Sequence, residues 1–334
     1  MRLDRTQAES LLRRIAGRPV AVLGDVMLDE YLFGEVNRIS PEAPVPIVRV
    51  LREQAVLGGA ANVAGNLKAL GAEPRLVGTL QKDAAGMRLL GLFRELGISA
   101  KGLVEDPVRP TVIKTRVIGH QQQMLRIDRE ESGPPGSEVL AQLRERLREA
   151  LEGASALIVS DYAKGTVNES VMAAVREFCA QLGLPWIVDP KPSHRHLYRG
   201  ATLMTPNLKE TAELAGQPVK TDEEVIAAGR AVMKDLDLKG LLVTRSEKGM
   251  ALFAPDGAHA EPWMIPTEAR EVFDVSGAGD TVIAAFSAAI GAGADWREAA
   301  MLANAAAGIV VGKVGTATAT PAEILAHYHE QEAN

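Results

Sequence analysis

The sequence predicts an α/β fold with a mainly parallel central sheet, covered by helices on both faces, and a small β-sheet lid. Two observations predict it. Apolar, β-rich runs alternate with helical patterns along most of the 334 residues, which is typical of βαβ units. Two segments, at about 28–52 and 110–128, interrupt that alternation with β-forming patterns and no helix.

The first half of the chain begins the alternation. The run PVAVLG is typical of a buried strand, and the helix that ends before Gly97 has a natural C-terminal glycine. Leucines at 140, 143, 147 and 151 form one apolar stripe of an amphipathic helix. The predicted strands are 19–24 and 74–80, and the predicted helices are 57–72, 83–97 and 137–153.

The second half continues the pattern and ends in helices. Strands are predicted at 156–162, 185–190, 201–206, 240–245 and 250–255. Helices are predicted at 167–183, 208–216, 222–236, 277–292, 295–312 and 321–330. With no internal repeat and no long linker, residues 1–334 are interpreted as a single domain.

The two interrupting segments are predicted to form β-ribbons outside the main sheet. Segment 28–52 contains three prolines and β-forming alternation, and segment 110–128 contains two strands joined through Gly119 and His120. Insertions of this kind often cover a site at the edge of a sheet. Their edges favour pairing between chains, so we expect a homodimer made through the lid.

Composition excludes several classes of protein. Hydrophobic residues make up 46% of the chain and charged residues 24%, and the formal net charge is −6, which argues against a nucleic-acid binder. The single cysteine, Cys179, cannot form an internal disulfide. No apolar stretch reaches the ~20 residues that a membrane helix needs. We therefore expect a cytoplasmic protein with no nucleic-acid or membrane partner.

The segment EVFDVSGAGDT at 271–281 carries the strongest chemical indication. The small residues Gly277, Ala278 and Gly279 leave backbone N–H groups uncovered where a helix begins, and such a terminus attracts anions. Asp280 lies in the first turn beside them. A carboxylate there fits a general base that deprotonates a hydroxyl attacking a phosphoryl group. Read alone, it is equally an acidic residue that complements the helix N-terminus.

A second segment, LGGAANVA at 57–64, resembles a ligand-binding turn. Gly58 and Gly59 precede a helix and allow close approach of the backbone to a ligand. Asn62 offers both a donor and an acceptor. By itself the segment is also compatible with an ordinary tight turn.

Together, GGAANVA and DVSGAGD resemble the two signatures of the ribokinase-like, or phosphofructokinase-B, sugar kinases. The resemblance covers almost the whole chain, because TPNLKE, VTRSEKG and ANAAAGIVVGKVGTAT follow in the family's order. It implies a ribokinase-like three-layer fold and ATP-dependent phosphorylation of a sugar with Mg²⁺ as cofactor.

The resemblance also assigns roles. It implies that Asp280 is the catalytic base and that residues 277–279 form the anion hole. Asp29, Gly58, Gly59 and Asn62 match the sugar contacts. Asn207 and Glu210 match the N-x-x-E pair, acting on Mg²⁺ through water, with Leu208 and Lys209 between them. The remaining nucleotide contacts implied are Thr244, Gly249, Asn304 and Gly308, and Lys191 is a weaker candidate for the phosphates.

A narrower resemblance concerns the substrate. LGDVMLDEYLFGEVNRISPEAPVPIVRV, SDYAKG and LVTRSEKGM closely resemble the heptose 7-phosphate kinases of lipopolysaccharide synthesis. These enzymes phosphorylate D-glycero-β-D-manno-heptose 7-phosphate at O1 with ATP. Because the sequence ends at Asn334, we expect the stand-alone kinase. A kinase for fructose 1-phosphate or tagatose 6-phosphate, and an inactive sugar-binding regulator, remain alternatives.

A phosphorylated sugar needs cationic donors at the end remote from the transferred group. Lys114 and Arg116 alternate to one face of a predicted strand, and Arg126 lies on its return partner. Arginine matches two phosphate oxygens, although these charges are equally compatible with a solvated lid. Asp161 and Lys164, in SDYAKG, follow another strand, where open α/β sheets bind their ligands.

Overall fold

The computed structural model describes residues 3–120, 122–131, 133–254, 261–269 and 271–332. The α-helices are α1 Arg5–Ile15, α2 Ala60–Ala69, α3 Ala84–Leu96, α4 Ser137–Leu151, α5 Glu169–Leu182, α6 Leu208–Ala215, α7 Asp222–Leu236, α8 Ala278–Gly291, α9 Trp296–Val311 and α10 Pro321–Glu332. The strands are β1 Pro19–Gly24, β2 Val26–Ile39, β3 Pro46–Gly59, β4 Glu73–Leu80, β5 Leu103–Glu105, β6 Val112–Gly119, β7 Gln122–Arg129, β8 Leu157–Ser160, β9 Trp186–Asp189, β10 Leu203–Met204, β11 Gly240–Thr244, β12 Met250–Phe253 and β13 Trp263–Ile265. Short 3₁₀ helices span Pro192–Tyr198 and Ser246–Lys248.

Within the described residues, the main sheet has nine strands in the order β13-β12-β11-β10-β9-β8-β1-β4-β5. Its strands from β11 to β5 are parallel, whereas β12, near one edge, pairs antiparallel with both β11 and β13. The α/β fold with a mainly parallel sheet is therefore confirmed.

Alternation along the strands divides the interior into two hydrophobic cores. In β1, Val20 and Val22 belong to the core packed by α1, α2, α3, α8, α9 and α10. Ala21 and Leu23 belong to the other core, which α4, α5 and α7 cover. Because both faces are buried, the strand is apolar at every one of these positions.

A second sheet, with four strands in the part of the chain that the structure describes, has the order β3-β2-β6-β7 and stands apart from the first. Strands β2 and β3 are antiparallel, β2 and β6 parallel, and β6 and β7 antiparallel. Only Asp25 separates β1 from β2, and β3 leads directly into α2. This connectivity places the second sheet at the carboxyl end of β1, where the site is expected.

Three elements had no counterpart in the sequence interpretation: α1, β5 and β13. Helix α1 has a capping box, in which Asp4 and Gln7 each accept from the other's backbone N–H. That D-x-x-Q pattern, followed by Leu11, Leu12 and Ile15, is the signal that predicts this helix. Of the predicted ribbon and strand residues, Gln121 and Pro255 lie outside the described residues.

Within the described ranges, no helix combines the length and the apolar character that a membrane crossing requires.

Candidate active site

The site lies at the carboxyl ends of the parallel strands. Asp25 follows β1, Tyr162 follows β8, Asp189 ends β9 and Asn207 follows β10. Open α/β sheets bind their ligands at this edge because the strands leave their connecting loops there. The first turn of α8 reaches the same place, since Asp280 contacts Tyr162.

Asp280 is a buried carboxylate with a donor on each oxygen. Asn62, in the first turn of α2, donates its Nδ2 to Oδ2 over 2.7 Å. The hydroxyl of Tyr162 donates to Oδ1 over 3.0 Å. Burial raises the pKa of Asp280 to about 6, while these two hydrogen bonds act in the opposite direction. The carboxylate is therefore mostly deprotonated at neutral pH and more basic than an ordinary aspartate.

The predicted anion hole forms the start of α8. Gly277 has φ +78°, and a Cβ there would lie 2.9 Å from Asn62 Nδ2 and 3.0 Å from Thr316. A Cβ on Gly279 would meet no described atom within 4 Å, so space is open there. The N–H of Ala278 donates to the carbonyl of Val275 over 3.2 Å. Contrary to expectation, this N–H is engaged in a turn within the chain.

The paired glycines bring the second sheet against α2. A Cβ on Gly58 would lie 2.7 Å from Asp29 Oδ2, and one on Gly59, at φ +54°, would lie 2.4 Å from the carbonyl oxygen of Asp25. No other residue type fits either position without moving backbone or Asp29. The glycines thus allow Asp29 to approach the beginning of α2, where Asn62 lies.

The candidate sugar carboxylate, Asp29, is paired with a lid arginine. Arg116 Nη1 lies 2.8 Å from Asp29 Oδ1, and its guanidinium carbon is 5.3 Å from the ring centroid of Tyr31. The neighbouring Lys114 is directly opposite Asp29 in the β2–β6 register. Burial lowers the pKa of Lys114, and the charge of Asp29 partly restores it. Lys114 and Arg116 therefore face the site, as the strand alternation predicts.

Arg126 differs from its two neighbours. It lies opposite Arg116 in the β6–β7 register. Both Nε and Nη2 donate to Asp128, each over 2.8 Å, and about half of its side chain is exposed. Two nitrogens of the Arg126 guanidinium are thus occupied by a carboxylate, whereas Arg116 engages Asp29 through Nη1 alone, so Arg126 is the weaker candidate for phosphate binding.

The loop at 161–166 corrects one expectation. The carboxylate of Asp161 is inaccessible to solvent, because Tyr198 donates its hydroxyl to Oδ2 over 2.6 Å and His194 Nδ1 lies 2.8 Å from the same oxygen. Its Oδ1 accepts from the N–H of Ala163. Asp161 therefore holds the loop and offers no oxygen to a sugar. Lys164 remains partly exposed, 2.7 Å from Glu130.

Asp25 is a structural residue that the sequence interpretation missed. It is 1% exposed, and its carboxylate accepts three backbone N–H groups: Tyr162 and Lys164 on Oδ2, each over 2.9 Å, and Thr166 on Oδ1 over 3.0 Å. The signal was its position, since a carboxylate directly after the buried strand β1 requires donors. Asp25 fixes the loop that carries Tyr162.

Replacing Asp25 by asparagine should destabilise the protein. The amide keeps one acceptor oxygen but turns an NH₂ group toward buried N–H donors, so at least one of them loses its partner. We expect the free energy of unfolding in urea to fall by about 2–5 kcal/mol. The matched variant Asp235→Asn changes a carboxylate more than half exposed on α7 and should cost less than ~0.5 kcal/mol. Equal stability of the two variants would contradict this role.

The N-x-x-E pair forms a helix cap. Asn207 Oδ1 accepts the N–H of Glu210 and Glu210 Oε2 accepts the N–H of Asn207, both over 2.9 Å. Asn207 also forms a parallel bridge with Thr244, the last residue of β11. Between the pair, Leu208 packs against the core and Lys209 is exposed. The side chain of Leu208 thus contributes packing, and the nucleotide contacts expected at Leu208 and Lys209 stay predictions.

The donor set at this edge fits a divalent cation carried in with a nucleotide. Burial raises the pKa of Glu210, and Lys191 partly offsets it. Asp189, also missed by the sequence interpretation, has a pKa raised by burial and by the negative charges of Asp280 and Glu210. In the described part of the chain, no cluster of three or more potential protein ligands is preformed. Two carboxylates with water as the other ligands suit Mg²⁺.

Three further residues that were predicted to contact the nucleotide, Gly249, Asn304 and Gly308, lie against backbone atoms of neighbouring segments. Gly249 has φ +81°, and a Cβ there would lie 2.1 Å from the carbonyl oxygen of Ile265. Asn304 is buried and donates to the carbonyl of Pro266 over 2.8 Å. A Cβ on Gly308 would lie 3.0 Å from the nitrogen of Ala269. These three positions together hold the segment that follows β13 against α9 and the turn after β11.

A comparison with protein-family models decides the classification. The model of the pfkB family carbohydrate kinases matches residues 18–323. The chain belongs to this family. The expectations of a sugar kinase and of a phosphofructokinase-B family member are thereby confirmed.

Curated relatives of this kinase include two bifunctional proteins. The bifunctional protein HldE of Trichlorobacter lovleyi is 46% identical over 324 residues, which cover 97% of this chain and 65% of that protein. HldE of Paramagnetospirillum magneticum is 45% identical over 330 residues, covering 98% and 67%. The kinase thus spans about two thirds of the length of these relatives.

Solved structures confirm the fold. The ribokinase of Arabidopsis thaliana, complexed with ribose and ATP, has a TM-score of 0.75 at 23% identity and covers 93% of this chain and 99% of its own. Phosphofructokinase-2 from Escherichia coli, in complex with potassium, has a TM-score of 0.77 at 18% identity, covering 95% and 99%. At these identities the likeness establishes the ribokinase-like architecture.

Proposed function

We propose that this kinase transfers the γ-phosphoryl group of ATP to O1 of D-glycero-β-D-manno-heptose 7-phosphate, giving the 1,7-bisphosphate for ADP-heptose and lipopolysaccharide inner-core synthesis. The identity of about 45% to the HldE proteins over nearly the whole kinase supports the substrate. The observation that carries the chemistry is the buried Asp280 carboxylate at the start of α8.

In the proposed reaction, Asp280 accepts the proton of the O1 hydroxyl as that oxygen attacks the γ-phosphorus. The N-terminus of α8, with Gly277 and Gly279, stabilises negative charge on the transferring group. Bound Mg²⁺ would neutralise the β- and γ-phosphates, with Asn207 and Glu210 acting through water and Asp189 beside them. ADP leaves from the side of Thr244.

The sugar would lie between the second sheet and α2. Asp29 accepts hydrogen bonds from sugar hydroxyls, and Asn62 and Gly59 line the other side. Lys114 and Arg116 provide cationic donors for the distal phosphate, and Lys164 lies within electrostatic range of Lys114. The second sheet then acts as a lid on a single cytoplasmic kinase domain.

The test is a substrate panel. Release of ADP is measured with purified kinase, ATP and Mg²⁺ over heptose 7-phosphate, fructose 1-phosphate, tagatose 6-phosphate and unphosphorylated sugars. We expect the highest kcat/KM with heptose 7-phosphate. A higher value with another sugar phosphate would replace the substrate, and binding without turnover on every sugar would identify a regulator.

The assembly is a separate prediction. Strand β7 is an exposed edge of the second sheet, with Leu125 and Ile127 about half exposed. Unpaired apolar edges favour pairing with another chain. We expect light scattering to show a dimer at assay concentration. Ile127→Lys should give a folded monomer, and a monomeric parent protein would remove the proposal.

A further inference from the structure

Tyr162 contacts the carboxylate oxygen of the candidate base that Asn62 leaves free. Its hydroxyl donates to Asp280 Oδ1 over 3.0 Å, while Asn62 donates to Oδ2. We propose that Tyr162 is a positioning residue for phosphoryl transfer, which fixes the Asp280 carboxylate in its ionised form. The proposal rests on the proposed role of Asp280 as the base. The proton of the sugar hydroxyl passes to Asp280, and Tyr162 keeps its own proton throughout.

The two donors restrict the carboxylate geometrically. Asn62 belongs to α2, and Tyr162 belongs to the loop after β8. Rotation of the carboxylate about its Cβ–Cγ bond would break both hydrogen bonds. Each oxygen retains a further lone pair for an incoming hydroxyl. The arrangement therefore orients the base before the substrate binds, which is the condition for efficient proton transfer.

The loop that carries Tyr162 is held against its own backbone preference. Ala163 has φ +54°, a conformation that costs free energy in a residue other than glycine. Asp25 accepts the N–H groups on either side of it, from Tyr162 and Lys164. Asp161 accepts the N–H of Ala163 itself over 2.7 Å. Two buried carboxylates thus maintain a strained turn that aims the Tyr162 side chain at Asp280.

A third anchor ties this loop to the second sheet. The guanidinium of Arg109 donates to the carbonyl of Lys164 and, over 2.9 Å, to that of Glu131. Strand β7 ends at Arg129. The next residue, Glu130, pairs with the Lys164 ammonium, and Glu131 follows it. The exit from the second sheet is therefore fastened to the Tyr162 loop at two points.

The ring of Tyr162 is fixed as well as its hydroxyl. The Lys114 ammonium lies 5.1 Å from the ring centroid, within the range of a cation–π interaction. Burial and the negative charge of Asp280 raise the pKa of Tyr162, so the phenol remains a donor at every working pH. Tyr162 thus links a cation on the sugar side to the carboxylate that would accept the proton.

The groups around Asp280 determine the direction in which its pKa moves when the Tyr162 hydroxyl is removed. Burial raises the pKa of Asp280 to about 6, Asn62 and Tyr162 lower it, and Asp29 and Lys114 act in opposite directions. The titratable groups that act on Asp280 or respond to its charge include Tyr162, Asp29, Lys114 and Asp189. Because a hydrogen bond to the charged form lowers a pKa, removing the Tyr162 hydroxyl raises the pKa of Asp280. Activity that needs the carboxylate is then lost at a higher pH.

The test is Tyr162→Phe, measured as kcat from pH 5.5 to 9. We expect the acidic limb of the profile to move upward by about one pH unit or more, the size of a lost hydrogen bond to a charged group. A shift of one unit should lower kcat by about fivefold near pH 6, and the loss should be small near pH 9. KM for ATP should stay unchanged, because Tyr162 has no assigned contact with the nucleotide.

A matched control and a direct titration complete the experiment. Tyr328→Phe removes the hydroxyl of another buried tyrosine, on α10, and should leave the pH profile unmoved. The pKa of Asp280 itself is read by carboxyl-carbon NMR, with Asp280→Asn assigning the resonance. A loss of kcat that is equal at all pH values, or an unshifted Asp280 resonance, would overturn the proposal. An active Asp280→Asn variant would instead overturn the proposed base.

Discussion

Asp280→Asn should lower kcat by about 10²–10⁴-fold, the usual contribution of a general base, while ATP affinity changes by no more than a few-fold. Asparagine has the same shape and can still accept from one of the two donors, Asn62 or Tyr162. It cannot accept the proton of the attacking hydroxyl. The kinase is assayed by ADP release, and ATP binding is measured by calorimetry.

The chain offers a matched control for this substitution. Asp295 caps α9 by accepting the N–H groups of Arg297 and Glu298, each over 2.8 Å. Asparagine caps helices about as well as aspartate, so Asp295→Asn should keep near-normal kcat and stability. Turnover of Asp280→Asn close to that of this control would remove Asp280 as the base.

Arg116→Ala should raise KM for heptose 7-phosphate by roughly 10–150-fold, which corresponds to the ~1.5–3 kcal/mol of one charge-assisted hydrogen bond. The guanidinium fork of Arg116 matches two phosphate oxygens. KM for the heptose without its 7-phosphate should change little, because that substrate lacks the partner. Both constants are measured from initial rates at saturating ATP.

The structure adds a second consequence to this substitution. Arg116 also pairs with Asp29 over 2.8 Å in a largely buried position, so its removal leaves Asp29 without that cation. A displaced Asp29 weakens the binding of both sugars equally, whereas a lost phosphate contact weakens the binding of the phosphorylated sugar only. The ratio of the two KM changes therefore separates the roles.

Arg126→Ala is the control for this ratio. Arg126 lies directly opposite Arg116, but its guanidinium donates to Asp128 and its side chain is about half exposed. For Arg126→Ala, we expect the ratio of KM for heptose 7-phosphate to KM for the heptose without its 7-phosphate to stay within a few-fold of the ratio for the parent kinase. Equal KM increases for both sugars in Arg116→Ala would show that Arg116 positions Asp29, and no increase for either would exclude it from the site.

The elements that the sequence predicted well are those with local signals. Helix α3 runs Ala84–Leu96 and ends at Gly97 in the left-handed conformation, where glycine carries no Cβ penalty. Strand β1 has the predicted bounds. By contrast, β5 and β13 are three-residue strands at the two edges of the main sheet. Strands that short acquire their conformation from pairing with a neighbour, which no local pattern records.

The sequence determined the family and the main-sheet architecture, because glycine turns, helix caps and apolar periods act over a few residues of chain. It also indicated Asp280 and Asn62, 218 positions apart, through two separate motifs. Only the tertiary structure decided that Asp161 is enclosed by Tyr198 and His194. It alone showed that the Tyr162 hydroxyl donates to Asp280, since hydrogen bonds between remote segments depend on where the strands end in space. Local patterns specify the elements, and the packing of those elements specifies which polar groups meet.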